Sequence, residues 1–89
     1  MKIVRIGAIW CPGCLVMKKV WNNINKSYNL DILDLDYDMD SENVKKYNVG
    51  NVLPVVIFLN SNNEELDRLV GEQKEEKIIG LIEKYRVIE

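Results

Sequence analysis

Apolar residues recur along the chain with two different periods, and the changes between them divide it into seven elements. Ile3, Val4, Ile6, Ala8 and Ile9 form an apolar stretch of strand length within residues 2–9, with Arg5 as its charged exception. Pro12 and Gly13 mark a break. From Leu15 the period is helical: Met17, Trp21, Ile24 and Tyr28 fall at i, i+4, i+7 and i+11. Val16 and Val20 widen that face, and Lys18, Lys19, Asn22, Asn23 and Lys26 take the other. Residues 30–36 interleave Leu30, Ile32, Leu33 and Leu35 with Asp31, Asp34 and Asp36. They read as a strand whose facing is ambiguous, because the alternation slips at Ile32-Leu33. Asp40 or Ser41 can cap a short helix over 42–47 with Val44 and Tyr47 turned inward. Residues 52–59 are the most strand-like run, and Pro54 sits at their entrance, where a missing N–H is tolerated. Asn60 to Asn63 is turn material, residues 65–70 read as the second arm of a hairpin, and Gly71 ends it. Residues 74–85 are helical again, with Ile78, Ile79, Leu81, Ile82 and Tyr85 on the apolar side. Gly80 inside that helix costs about 1 kcal/mol relative to Ala, which a close helix–sheet contact would explain.

The predicted order is βαβαββα. Helical links between the first and second strands, and between the second and third, favour parallel pairing for both. The last two strands form an antiparallel hairpin. The expected fold class is α/β: a four-stranded mixed sheet flanked by three helices covering both faces. With 89 residues, one domain over 1–89 is expected.

Composition narrows the function. An apolar fraction of 47% with 29% charged residues is that of a globular chain, which excludes a disordered one. A net charge of −2 gives no reason to expect nucleic acid or an anionic membrane as partner. Asp31, Asp34, Asp36, Asp38, Asp40 and Glu42 crowd into one stretch, read as the solvated rim of a strand and its loop. No apolar run approaches the ~20 residues that span a bilayer. The first residues lack the apolar middle of a signal peptide, with Arg5 interrupting early. A cytoplasmic monomer, mature from Met1, is expected. The chain has two cysteines and no histidine. Ser-His and Cys-His pairs are thereby excluded, as is an intrachain four-ligand Cys/His zinc site. No metal is expected.

Cys11 and Cys14 lie as Cys-x-x-Cys where the second element begins. That spacing puts both sulfurs on one turn, close enough to join. A helix N-terminus offers unpaired N–H groups and a positive partial charge, which favour a thiolate. A thiolate attacks a disulfide to form a mixed disulfide, and the second thiol resolves it. By position, Cys11 is the exposed attacker and Cys14, one turn into the helix, the resolving thiol. Pro12 suits the first helical turn, and Gly13 adds no side chain above the sulfurs. Trp10 could shield Cys11 while offering a contact surface. An isolated Cys-x-x-Cys is also compatible with half of a metal or iron–sulfur site shared across a dimer, or with two inert thiols.

Over essentially its whole length the chain resembles the thioredoxin superfamily. The resemblance is carried by Trp10-Cys11-Pro12-Gly13-Cys14 after the first strand, Leu53-Pro54 before the third and Gly71 after the fourth. It implies a thioredoxin-like fold and a thiol–disulfide oxidoreductase acting on protein disulfides. It also implies a cis Leu53–Pro54 bond against the dithiol, a substrate strand pairing beside Leu53, and a Cys11–Cys14 disulfide in the oxidised state. No prosthetic cofactor is implied; electrons come from a thioredoxin reductase or glutathione. Cys-Pro-Gly-Cys places its proline as glutaredoxins do, whereas Trp10 is thioredoxin-like. A glutaredoxin-type reductase of glutathione mixed disulfides is therefore the nearest alternative. Val70-Gly71-Glu72-Gln73 lacks the Gly-Gly-Asp of a glutathione site, with Glu72 the nearest acid. The position six before Cys11, where thioredoxins usually keep a buried acid, is Arg5. Arg5 either pairs with Asp34 beneath the dithiol, with reversed polarity, or reaches solvent at the strand edge. In the first case the Cys14 proton must travel through water or another group.

Overall fold

In a computed structural model, which describes residues 1–86, the apolar runs become four strands and the helical periods three helices. The last three residues of the expected 1–89 domain lie outside the described residues. The order is β1 (Lys2–Gly7), α1 (Pro12–Asn25), β2 (Asp31–Asp36), α2 (Ser41–Lys45), β3 (Val55–Leu59), β4 (Glu65–Val70) and α3 (Glu75–Arg86). The strands form one mixed sheet in the order β2-β1-β3-β4. β1 and β2 are parallel, with Arg5 opposite Asp34 and Gly7 opposite Asp36. β3 is antiparallel to both β1 and β4.

The direction of β3 corrects the expected parallel pairing of the second and third strands. A crossover helix must carry the chain back along a whole strand, roughly 17–20 Å. α2 has five residues and rises only about 7.5 Å. The chain therefore re-enters the sheet at the end it left, as β3 beside β1. Arg68 of β4 ties this return loop down: its Nη2 donates to the Tyr47 carbonyl at 2.6 Å while the same side chain pairs with Glu65. Asp40 is the N-cap of α2, but its carboxylate serves the preceding turn, accepting from the Asp36 N–H at 2.8 Å.

Two apolar layers follow from strand alternation. Ile3, Val56, Phe58 and Leu69 face Met17, Trp21 and Ile24 of α1 and Ile78 and Ile82 of α3. Val4, Ile6, Leu35, Val55, Ile57 and Leu59 face Val44 of α2, with Tyr47 packed at the margin. Burial of all five β3 residues matches its central position. Two packing expectations change, for Val16 and Gly80, and the ambiguous facing of Leu33 is resolved. Val16 is mostly exposed, because it lies about 100° round the helix from Met17 and the sheet covers only a narrow stripe. Leu33 is also exposed, on the edge strand where α2 is too short to reach it. Gly80 is exposed, and a Cβ there would meet nothing within 4 Å, so no close helix–sheet contact explains it.

Candidate active site

β1 ends at Gly7, and the Ala8–Trp10 turn leads into α1. Ala8 and Ile9, expected in the strand, lie in this turn, with Ile9 exposed. The turn closes with the Cys11 N–H donating to the Ala8 carbonyl at 3.2 Å. Pro12 occupies the first helical position, where its fixed φ fits and no N–H is needed. Cys11 is the N-cap, with extended backbone at φ −95° and ψ 107°. Its Sγ accepts from the Cys14 N–H at 3.2 Å. An unpaired donor of the first turn is thus aimed at sulfur, a role usually filled by a Ser or Asp oxygen.

The two thiols are unlike. Cys14 Sγ lies over Gly7, where a Cβ would come within 3.1 Å. Burial is the main reason that the Cys14 thiol is pushed up from 9.0 to about 11. Its hydrogen bond to Cys11 and the negative charge on that sulfur raise it further, against a smaller lowering by the Ala8 backbone. Cys14 is therefore held protonated, and Cys11 accepts a hydrogen bond from the Cys14 backbone. The expected exposure of Cys11 is corrected: it is 4% exposed, whereas Cys14 is only partly buried. The cause is local. Capping turns the Cys11 sulfur inward over its own helix end, and Cys14 opens onto a cleft under α1. Both cysteines are free thiols.

Leu53 and Pro54 reach the same place from the other side. Their peptide bond is cis, and a Cβ on Gly13 would lie 3.4 Å from Pro54 Cδ. Among the described residues the Leu53 backbone makes no hydrogen bond, so its N–H and C=O stay free. Gly71 has φ +83°, a conformation suited to glycine, and its N–H donates to the Pro54 carbonyl at 2.7 Å. Trp10 is 57% exposed, with its ring edge-on to Tyr37 at 6.1 Å and its Nε1 donating to Asp38 Oδ2 at 2.7 Å. All eight residues anticipated for the site thus surround one helix end.

Beneath it the Arg5 guanidinium grips Asp34 with two hydrogen bonds, 2.6 and 2.7 Å, and lies 5.1 Å from the Trp21 ring centre. It shares the cleft with Cys14. Three contacts were not anticipated: Gly7 under Cys14, Asp38 on Trp10, and Glu72 over Gly13. A glycine closing the strand just before Cys-x-x-Cys was the available signal for the first. The others depend on tertiary packing, which brings the exposed Asp38 onto Trp10 and Glu72 onto Gly13. Among the described residues no group of three or more Cys, Asp or Glu side chains is placed to hold a metal. No helix among them is long and apolar enough to cross a membrane.

The thioredoxin family model matches residues 1–84. This chain belongs to the thioredoxin family. The thioredoxin of Staphylococcus epidermidis is 29% identical over 87 residues, covering 96% of this chain and 82% of that protein. The Staphylococcus haemolyticus thioredoxin is 28% identical with the same coverage. Among solved structures, a thioredoxin-2 described as a component of malaria parasite protein secretion machinery superposes with a TM-score of 0.85 at 26% identity, over 94% of this chain and 82% of that one. Thioredoxin 1 of Thermosipho africanus gives 0.78 at 27% identity, over 99% and 97%. Family membership makes this chain a thiol–disulfide oxidoreductase with a two-cysteine centre, and nothing favours the glutaredoxin alternative over it.

Proposed function

We propose that the chain reduces disulfides of cytoplasmic proteins, with Cys11 as nucleophile and Cys14 as resolving thiol. The observation that carries this reading is the one-way hydrogen bonding of the pair: the Cys14 N–H points at Cys11 Sγ, and Cys14 keeps its proton. A nucleophile must be a thiolate, and Cys14 with a pKa of about 11 is a poor one near neutrality. This outweighs its greater exposure.

In the proposed cycle the Cys11 thiolate attacks one sulfur of the substrate disulfide. The Cys11–substrate bond forms, the substrate S–S bond breaks, and the departing sulfur takes up a proton. Cys14 then loses its proton and attacks Cys11, releasing the second substrate thiol. The substrate has gained two electrons and two protons, and the chain holds a Cys11–Cys14 disulfide. A thioredoxin reductase or glutathione returns the electrons; no prosthetic group takes part. The substrate lies extended beside Leu53, whose free backbone groups can pair with it as an added strand. Pro54 and Gly71 shape that edge, Pro12 and Gly13 keep the helix end low, and Trp10 flanks it. The protein acts as a monomer.

The test is reduction of a peptide disulfide by the reduced protein, followed by mass spectrometry. Cys14→Ser should accumulate a mixed disulfide on Cys11, and Cys11→Ser should form none. A mixed disulfide on Cys14 in the Cys11→Ser protein, formed as fast as the first, would reverse the assignment.

A further inference from the structure

Glu72 occupies a position that the proposed cycle leaves unused. Its Cγ and Oε1 lie 3.1 and 3.2 Å from where a Cβ on Gly13 would stand. A carboxylate borrowed from the segment after β4 therefore covers the second residue of α1. The helix has no acidic residue of its own in that turn, so the positive end of its dipole is free to attract one. Glu72 follows Gly71, which is pinned to the Pro54 carbonyl, so its backbone is fixed relative to the Leu53-Pro54 edge. The side chain is exposed, and among the described residues it joins no ion pair. Asp38, held on the Trp10 indole, likewise joins no ion pair among the described residues. Exposed apolar surface adjoins Glu72: Val70 precedes Gly71, and Val52 Cγ1 lies 4.0 Å from where a Cβ on Gly71 would stand. An extended segment laid beside Leu53 would pass this apolar surface with the Glu72 carboxylate beside it.

We infer that Glu72 is a specificity-determining residue that selects protein disulfides whose cysteines are flanked by lysine or arginine. The inference rests on the proposed mode of substrate pairing at Leu53 and adds the chemical class of substrate. A cation beside the reacting cysteine meets Glu72 at close range, and an anion there is repelled. Both effects act on encounter and binding, and both weaken as salt screens exposed charges.

Two peptides with the same disulfide, one with lysines and one with glutamates beside the cysteine, make the test. The expected kcat/KM ratio, lysine over glutamate, is on the order of fivefold at low salt, the scale of exposed charge pairs counted once as attraction and once as repulsion. It should collapse towards one in 1 M salt, where the screening length is ~3 Å. Glu72→Gln should bring the low-salt ratio to about twofold or less, Glu72→Asp should keep most of it, and Glu72→Lys should invert it. A purely structural role for Glu72 would not produce an inversion. Equal rates for the two peptides, or a ratio unchanged in Glu72→Gln, overturn the inference while leaving the reductase reading intact. Failure to reduce either peptide, with no mixed disulfide in Cys14→Ser, overturns both.

Discussion

Replacing Asp34 with Asn isolates the charge pair beneath the dithiol. The two residues face each other across neighbouring parallel strands, so the backbone already holds them together. Arg5 is 25% exposed at the side chain and Asp34 65%. Two unit charges 4 Å apart attract by up to about 4 kcal/mol at a partly buried site. With one partner two-thirds in water, most of that is screened, and the two-bonded geometry supports a coupling of about 1 kcal/mol. Asn keeps the shape and loses the charge, so Asp34→Asn should cost ~1 kcal/mol. Arg5→Gln should cost ~2 kcal/mol, because the guanidinium also loses its contact with Trp21, worth about 0.5–1 kcal/mol. The double variant should then cost less than the two single losses added, by about 1 kcal/mol. For a chain of this size each kcal/mol moves Tm by roughly 4–8 °C. Denaturant and thermal unfolding of the reduced proteins at low and at 1 M salt give all four corners of the cycle. Additive losses, or a coupling that salt leaves untouched with Asp34→Asn indistinguishable from the parent, would refute this account of the pair.

Two further outcomes follow from single side chains. Gly80→Ala should stabilise the protein by about 1 kcal/mol, seen as a higher denaturant midpoint, because the helix gains propensity and the new Cβ meets nothing; a loss of stability would mean that Gly80 serves a contact after all. The raised Cys14 thiol sets a pH dependence: the folded state holds this proton more tightly than the unfolded chain, so its contribution is complete below 9.0 and lost as pH climbs from 9.0 to about 11. Reduced parent protein should lose stability relative to Cys14→Ser across that interval, and a constant difference between the two would contradict the assignment.

How legible such features were depended on the range over which they are determined. The boundaries of β4 and the stripe Met17, Trp21 and Ile24 were readable because strand and helix periods are local. The Arg5–Asp34 pair was half readable: an arginine inside an apolar strand either pairs or reaches solvent at the edge, and here the parallel neighbour supplies the partner. The direction of β3 was not, since it depends on whether a connecting helix is long enough to cross the sheet, and α2 ends two residues before the expected Tyr47. The acidic stretch misled by composition. Asp36, Asp38 and Asp40 look merely solvated in the sequence, yet each has a specific partner: two turn N–H groups, an indole and a backbone amide. Cys11 was expected outside because it precedes the helix, and its capping role brings it in.

The polarity beneath the dithiol also bears on how the proposed cycle can move its second proton. Asp34 occupies both its oxygens with Arg5, and Arg5 spends its charge on Asp34 and its face on Trp21. Neither is a cause of the raised Cys14 thiol, which comes from burial and from Cys11. The ion pair ties β1 to β2 and, through Trp21, to α1. Asp36 and Asp40, the other acids on the cleft, each hold the turn between β2 and α2 with one carboxylate oxygen. Cys14 opens onto the cleft that it lines itself. Formation of the mixed disulfide removes the negative charge from Cys11, and with it two of the three influences that hold the Cys14 proton. Burial, the largest cause, remains, and the resolving thiol of the proposed cycle faces the cleft at the step where it must attack. This ordering needs no buried acid, and an arginine at position 5 is compatible with exchange chemistry directly above it.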